Sequence, residues 1–179
     1  MNKAEWWMQA MSHQRIRVFI TGGTFDKEYD ELTGRLYFRD SHLPEMLKLG
    51  RCNLPVEVSK LMMVDSLEMT DRQRQEIVER CQHADERRIV LTHGTDTMAL
   101  TARLLDDHID GKTIVLTGAM VPYKFGSSDG LFNLGSALAL VQTLPAGVYV
   151  AMNGRYFPAS SVRKNRETGT FEDADDATS

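Results

Sequence analysis

The stretch "RIVLTHGTDTM", Arg88 to Met98, decides the fold and raises the functional question. A run of branched apolar residues, Ile89 to Leu91, stops in Thr92, His93, Gly94, Thr95, Asp96 and Thr97. Short, nearly continuous apolar runs are what strands buried on both faces look like. Similar runs recur at "RVFI" (17–20), "TIVLT" (113–117) and "GVYVAM" (147–152), with a longer one at "VEVSKLMMV" (56–64). Helical patterns lie among them, at "LPEMLKLG" (43–50), "TDRQRQEIVERCQHA" (70–84), "DTMALTARLLDDHID" (96–110) and "SDGLFNLGSALALVQTL" (128–144). Thr70 suits a helix cap and Gly50 a helix end. Alternating β and α elements predict an α/β domain, a doubly wound, mostly parallel sheet with helices on both faces and flavodoxin-like layering.

The bulk composition narrows the function classes. The chain of 179 residues suits one domain with a real core. Its formal net charge of −4 argues against a dedicated nucleic-acid binder, because such domains are usually basic. Two cysteines, Cys52 and Cys81, have no CxxC or metal-finger spacing, so a reduced, cytoplasmic setting is expected. No run reaches the roughly 18 apolar residues of a membrane span, and the first 15 residues lack a signal-peptide core. Within those 15, Trp6 and Trp7 are expected to pack on the domain, since two indoles are poorly left in water. The acidic tail, residues 172–179, reads as a frayed terminus.

In open α/β sheets, ligands bind outside the carboxyl ends of the strands. Each predicted strand here ends in small polar residues: "TGGTF" (21–25), "DS" (65–66), "THGTDT" (92–97) and "TGAMVP" (117–122). Their convergence on one sheet edge is stronger evidence than any single motif. A phosphate cradle at "TGGT" is disfavoured, because neither GxGxxG nor GxxxxGK[ST] occurs. A threonine hydroxyl needs a base to become a nucleophile. Thr95 and Asp96 precede a predicted helix, so they read equally well as a helix cap or as part of a site. His93 reads as a structural hydrogen-bonder, because no second metal-type ligand follows at a recognisable spacing.

"TGGTF", "THGTDTM" and "TGAMVP", in this order, resemble the bacterial-type L-asparaginases. "GSSDGLFNL" (126–134) and "SVRKNRETGTF" (161–171) resemble the segments that follow in that family. The likeness runs from Val18 to Phe171, and the chain resembles short forms of the family made of the N-terminal catalytic domain. The resemblance implies hydrolysis of the side-chain amide of L-asparagine, with no metal or organic cofactor. It makes Thr24 the nucleophile and Tyr37 the loop tyrosine, with Tyr29 as runner-up. Thr95, Asp96 and Lys164 become the proton-handling set. By the same resemblance Ser66 holds the substrate's α-carboxylate, Asp96 holds its α-ammonium with Thr95 beside it as the second threonine, and the Ala119 carbonyl lies near the leaving amide.

Two departures stand out. Leu67 follows Ser66 where longer members carry a polar residue, and Arg163 replaces a small residue before Lys164. To accept a proton Lys164 must be partly neutral, which burial favours and a neighbouring Asp96 opposes. Partners are expected to be a small amino-acid amide, L-asparagine or L-glutamine, and further copies of the chain. No nucleic acid or membrane is expected. Two other readings remain beside an asparaginase: a glutaminase-type subunit of a transamidation complex, and an amino-acid-binding module without turnover.

Overall fold

A computed structural model describes residues 15–174, so the Trp6–Trp7 segment and residues 175–179 lie outside the described residues. Five parallel strands form the sheet: β1 (Ile16–Gly22), β4 (Val56–Val64), β5 (Arg88–Thr92), β6 (Thr113–Thr117) and β7 (Gly147–Met152). They lie in the spatial order β4-β1-β5-β6-β7, and β8 (Arg155–Pro158) closes the far edge antiparallel to β7. Numbered among the parallel strands alone, this is the 2-1-3-4-5 order of flavodoxin-like domains. A hairpin, β2 (Lys27–Asp30) and β3 (Arg35–Phe38), branches off after β1.

Strand residues alternate between two cores because successive side chains point to opposite faces. Phe19, Ile89, Leu91, Ile114 and Leu116 face one layer, with α2 (Asp71–His83) and α3 (Met98–Asp106). Ile16, Val18, Ile20, Val90 and Val115 face the other, with α1 (Leu43–Leu49) and α4 (Gly130–Thr143). Helix α2 opens with a full capping box: the Thr70 hydroxyl accepts from Gln73 N, and the Gln73 side chain accepts from Thr70 N. The layered α/β architecture is the one the sequence predicts.

The start of the acidic tail departs from the frayed terminus expected of it. Phe171–Asp173 form β10, antiparallel to β9 (Val162–Lys164), so Glu172 and Asp173 belong to a paired strand. Phe171 is buried in the α2/α3 core, and that apolar anchor outweighs the polar composition around it. The β9–β10 unit places Lys164 opposite Phe171, within reach of the sheet edge. No helix among the described residues is long and apolar enough to cross a membrane.

Candidate active site

The strand order reverses between β1 and β5, and that crevice is where α/β sheets bind ligands. Glycines let the strand ends meet there. A Cβ on Gly23 would lie 2.4 Å from Gly94 N, and a Cβ on Gly94 would lie 2.6 Å from Ser66 Oγ. One on Gly118 would lie 2.4 Å from the His93 carbonyl oxygen. Backbone therefore packs on backbone across β1, β5 and β6, and the Ser66 side chain enters the same contact. Gly23 also has φ +83°, a left-handed conformation that favours glycine.

The best-defined chemistry lies at the β5 end. Lys164 Nζ donates to Thr95 Oγ1 at 2.8 Å and to Asp96 Oδ1 at 2.8 Å. The Lys164 side chain is 10% exposed and that of Asp96 37%, so the carboxylate opens toward solvent while the amine is enclosed. Thr95 is buried. Neither Thr95 nor Asp96 caps α3, which starts at Met98 with Thr97 as N-cap. Two residues that local sequence could assign to a cap are drawn instead to a lysine 68 and 69 positions away.

His93 is structural. Its ring is fully buried, with Nδ1 2.7 Å from the Gly94 carbonyl and Nε2 2.9 Å from Thr101 Oγ1. Burial pushes its pKa down to about 4, only partly opposed by the Gly94 carbonyl, and the Arg74 charge pushes the same way. The imidazole is neutral and fixes the turn beneath Thr95.

Thr24 stands on the β1 end at a half-buried position. The turn is pinned on both sides: Phe25 is buried in the α1/α4 core, and Asp26 Oδ1 accepts from His42 N at 2.8 Å and Ser41 Oγ at 2.9 Å. Burial nevertheless raises the Asp26 pKa. Gly23 N donates to the Val64 carbonyl at 3.1 Å, so this amide of "TGGT" is already occupied. Among the described residues, the N–H groups of Thr24, Thr95 and Asp96 have no acceptor.

Ser66 is buried, and its hydroxyl has no partner among the described residues. An enclosed, unpaired hydroxyl is costly unless something else pairs with it. Ala119 is buried just beyond β6. Its neighbours Met120 N and Val121 N donate to Asp129, whose other oxygen accepts from Asn133 Nδ2. Asn133 also donates to the Gly118 carbonyl and accepts from Asn153 N. Sequence reasoning misses this Asp129–Asn133 strut, for which the only available signal is two polar residues four apart on an apolar helix.

The hairpin residues are not gathered in. Tyr37 is 41% exposed and donates to Glu28 Oε2 at 3.2 Å, and Tyr29 is 56% exposed. Neither tyrosine is hydrogen-bonded to Thr24, Thr95, Asp96 or Lys164 among the described residues. The hairpin is tied to the Ser66 loop by Lys27, which pairs with Asp65. Leu67 is largely exposed, and Arg163 pairs with Glu172 across the β9–β10 unit. Among the described residues, no three His, Cys, Asp or Glu side chains cluster as a metal site.

Fold and site together define a flavodoxin-like α/β domain with a Thr–Lys–Asp cluster at the switch point of its sheet. The family model described as "Asparaginase, N-terminal" matches residues 15–175, and the chain belongs to the asparaginase family. L-asparaginase 1 of Escherichia coli (strain K12) is 32% identical over 178 residues, covering 93% of this chain and 51% of its own. A glutamyl-tRNA(Gln) amidotransferase subunit from Methanococcus vannielii is 33% identical over 152 residues, 79% of this chain and 34% of its own. A probable cytoplasmic L-asparaginase from Campylobacter jejuni superposes with a TM-score of 0.78 at 30% identity, covering 89% of this chain and 53% of that one. The chain spans about half the length of the asparaginases it matches.

Proposed function

We propose that this domain hydrolyses the side-chain amide of L-asparagine to L-aspartate and ammonia, with threonine as the nucleophile. The observation that carries the reading is the enclosed Lys164 bonded at once to Thr95 and Asp96. A module needing only affinity has no use for a lysine held against a threonine hydroxyl.

In the proposed roles, Thr24 attacks the amide carbon and Thr95, Lys164 and Asp96 handle its proton. Thr95 Oγ1 accepts from Lys164, which leaves the Thr95 proton free to turn toward another acceptor. The substrate ammonium would engage the open side of Asp96 and compete with Lys164 for that carboxylate. The free N–H groups of Thr95 and Asp96 would face the developing oxyanion, a contact typically worth about 3–4 kcal/mol per donor. Ser66 receives the α-carboxylate, the Ala119 carbonyl lies near the leaving amide, and Tyr37 closes over the site from the hairpin. The half-exposed Thr24 and Tyr37 fit a homo-oligomer in which another copy excludes water from this face.

The match to an amidotransferase component supports a second reading, a glutaminase-type partner in transamidation. An ammonia-release assay with L-asparagine and L-glutamine separates the two. Turnover of asparagine well above glutamine is the expected result. Preference for glutamine would favour the transamidation role, and aspartate binding without turnover of either would leave a binding module.

A further inference from the structure

Arg74 is out of place on ordinary structural grounds. It lies in the first turn of α2, where the helix macrodipole disfavours a cation. It is buried to 6% exposure, yet its only carboxylate partner among the described residues, Asp71 at 3.4 Å, is fully exposed. Its Nε has no partner among the described residues. A buried cation without a buried counter-ion is costly, and such groups are kept where they have work to do.

The remaining contacts of Arg74 point at the site. One terminal nitrogen donates to the Met69 carbonyl at 2.8 Å, bracing the loop that carries Ser66. The other donates to Thr97 Oγ1 at 3.1 Å. Thr97 passes its own proton to the Ser66 carbonyl at 2.9 Å. In doing so Thr97, the N-cap of α3, forgoes the side-chain cap its position allows. Two hydrogen bonds thus link a buried guanidinium to the residue whose enclosed hydroxyl lacks a partner. The Arg74 charge is also felt at His93, deeper in the same cluster.

We propose that Arg74 is a positioning and specificity-determining residue that selects substrates carrying an α-carboxylate. It fixes Ser66 through Thr97 and supplies the positive field that an anion on Ser66 completes. This places the missing counter-charge on the ligand and compensates for Leu67, whose apolar side chain offers the carboxylate no hydrogen bond. The inference rests on the reading of the site as one for amino-acid amides.

The test compares two probes by isothermal titration. One is L-aspartate; the other is L-isoasparagine, the α-amide of aspartic acid, which keeps the side-chain carboxylate and replaces only the α-carboxylate. In the wild type, aspartate should bind much more tightly than isoasparagine. Arg74→Met should weaken aspartate at least about tenfold and leave isoasparagine nearly unchanged, as expected for loss of a charge two hydrogen bonds away in a partly desolvated site. Arg74→Lys should recover part of the discrimination by restoring charge without the fork. Thr97→Val, which keeps the shape and removes only the relay hydroxyl, should lower the same ratio and decides the matter if Arg74→Met fails to fold. Equal weakening of both probes in the folded variants would make Arg74 merely structural and overturn the inference. A wild type that binds neither probe would overturn the proposed function and the inference with it.

Discussion

The β5 end and the β1 end of the site differ in how completely the isolated chain builds them. At β5, Thr95 is buried, Lys164 reaches it across 69 residues, and His93 locks the turn from below. At β1, Thr24 is half-buried, Gly23 is wedged against Gly94, and the hairpin beyond holds Tyr29 and Tyr37 well exposed. The difference teaches where preorganisation comes from. Residues fixed by the sheet and its glycine contacts are set in advance, whereas those on the hairpin rely on Lys27–Asp65 and on whatever covers them. Preorganised groups lower the barrier without reorganising during the reaction, so the rigid side suits the proposed proton-handling set.

The sharpest way to break this comparison is to remove each threonine in turn. Thr95→Ala and Thr24→Ala should each lower kcat for asparagine by about 1000-fold or more. Their stabilities should differ. Thr95→Ala takes an acceptor from an enclosed lysine and should cost about 1 kcal/mol, while Thr24→Ala should unfold as the wild type does. Urea titrations beside the kinetics check both halves. Near-full activity in either folded variant would remove that residue from catalysis.

A second, smaller effect concerns the glycine contact between the β5 end and Ser66 beyond β4. Gly94→Ala sets a Cβ 2.6 Å from both Cβ and Oγ of Ser66. The β5 and β4 ends must separate, so both stability and aspartate affinity should fall, the former by about 2–3 kcal/mol. Unchanged thermal stability and affinity would show that the strand ends already have slack.

The fold was legible because periodicity and strand-end chemistry are local. The runs at 88–92 and 113–117 became β5 and β6 residue for residue, the run at 17–20 lies inside β1, and Thr70 capped α2 as its type suggests. Of the proposed site residues, Thr95, Asp96 and Lys164 stand in motifs the sequence singles out, and the structure brings these three together. What stayed hidden depends on distant partners. Local sequence left Thr95 and Asp96 open between a helix cap and a site, and only Lys164, distant in sequence, separates the two. Glu172 and Asp173 looked frayed because one buried phenylalanine, not their own composition, decides their strand. Arg74 carries no local signal, since nothing in its neighbours tells a buried guanidinium from an exposed one. The ranking of Tyr37 over Tyr29 finds no support in the hydrogen bonds of the structure, which leaves both exposed on the hairpin.

A pH dependence follows from His93. Its pKa falls from the usual 6.5 to about 4 on folding, chiefly by burial, so below pH 6.5 the unfolded chain takes up a proton that the native state refuses. Stability should be full above pH 6.5 and decline as pH falls toward 4, with this one group contributing up to about 3 kcal/mol across that window. Denaturant titrations from pH 7 to pH 4 read the slope. His93→Gln, if folded, should flatten it, and a wild-type slope retained in that variant would assign the loss to other groups.

The central claim is that Lys164 exchanges a proton with the threonine it touches, and is not there simply as a fixed charge beside Asp96. Ammonia release by Lys164→Arg tests this most directly. A guanidinium keeps the charge and can still bond Asp96, but it does not give up its proton at these pH values. Lys164→Arg, folded and still binding aspartate, should release ammonia from asparagine at less than about a thousandth of the wild-type rate. Substantial turnover by this variant would contradict it and leave the fixed-charge role as the function of Lys164.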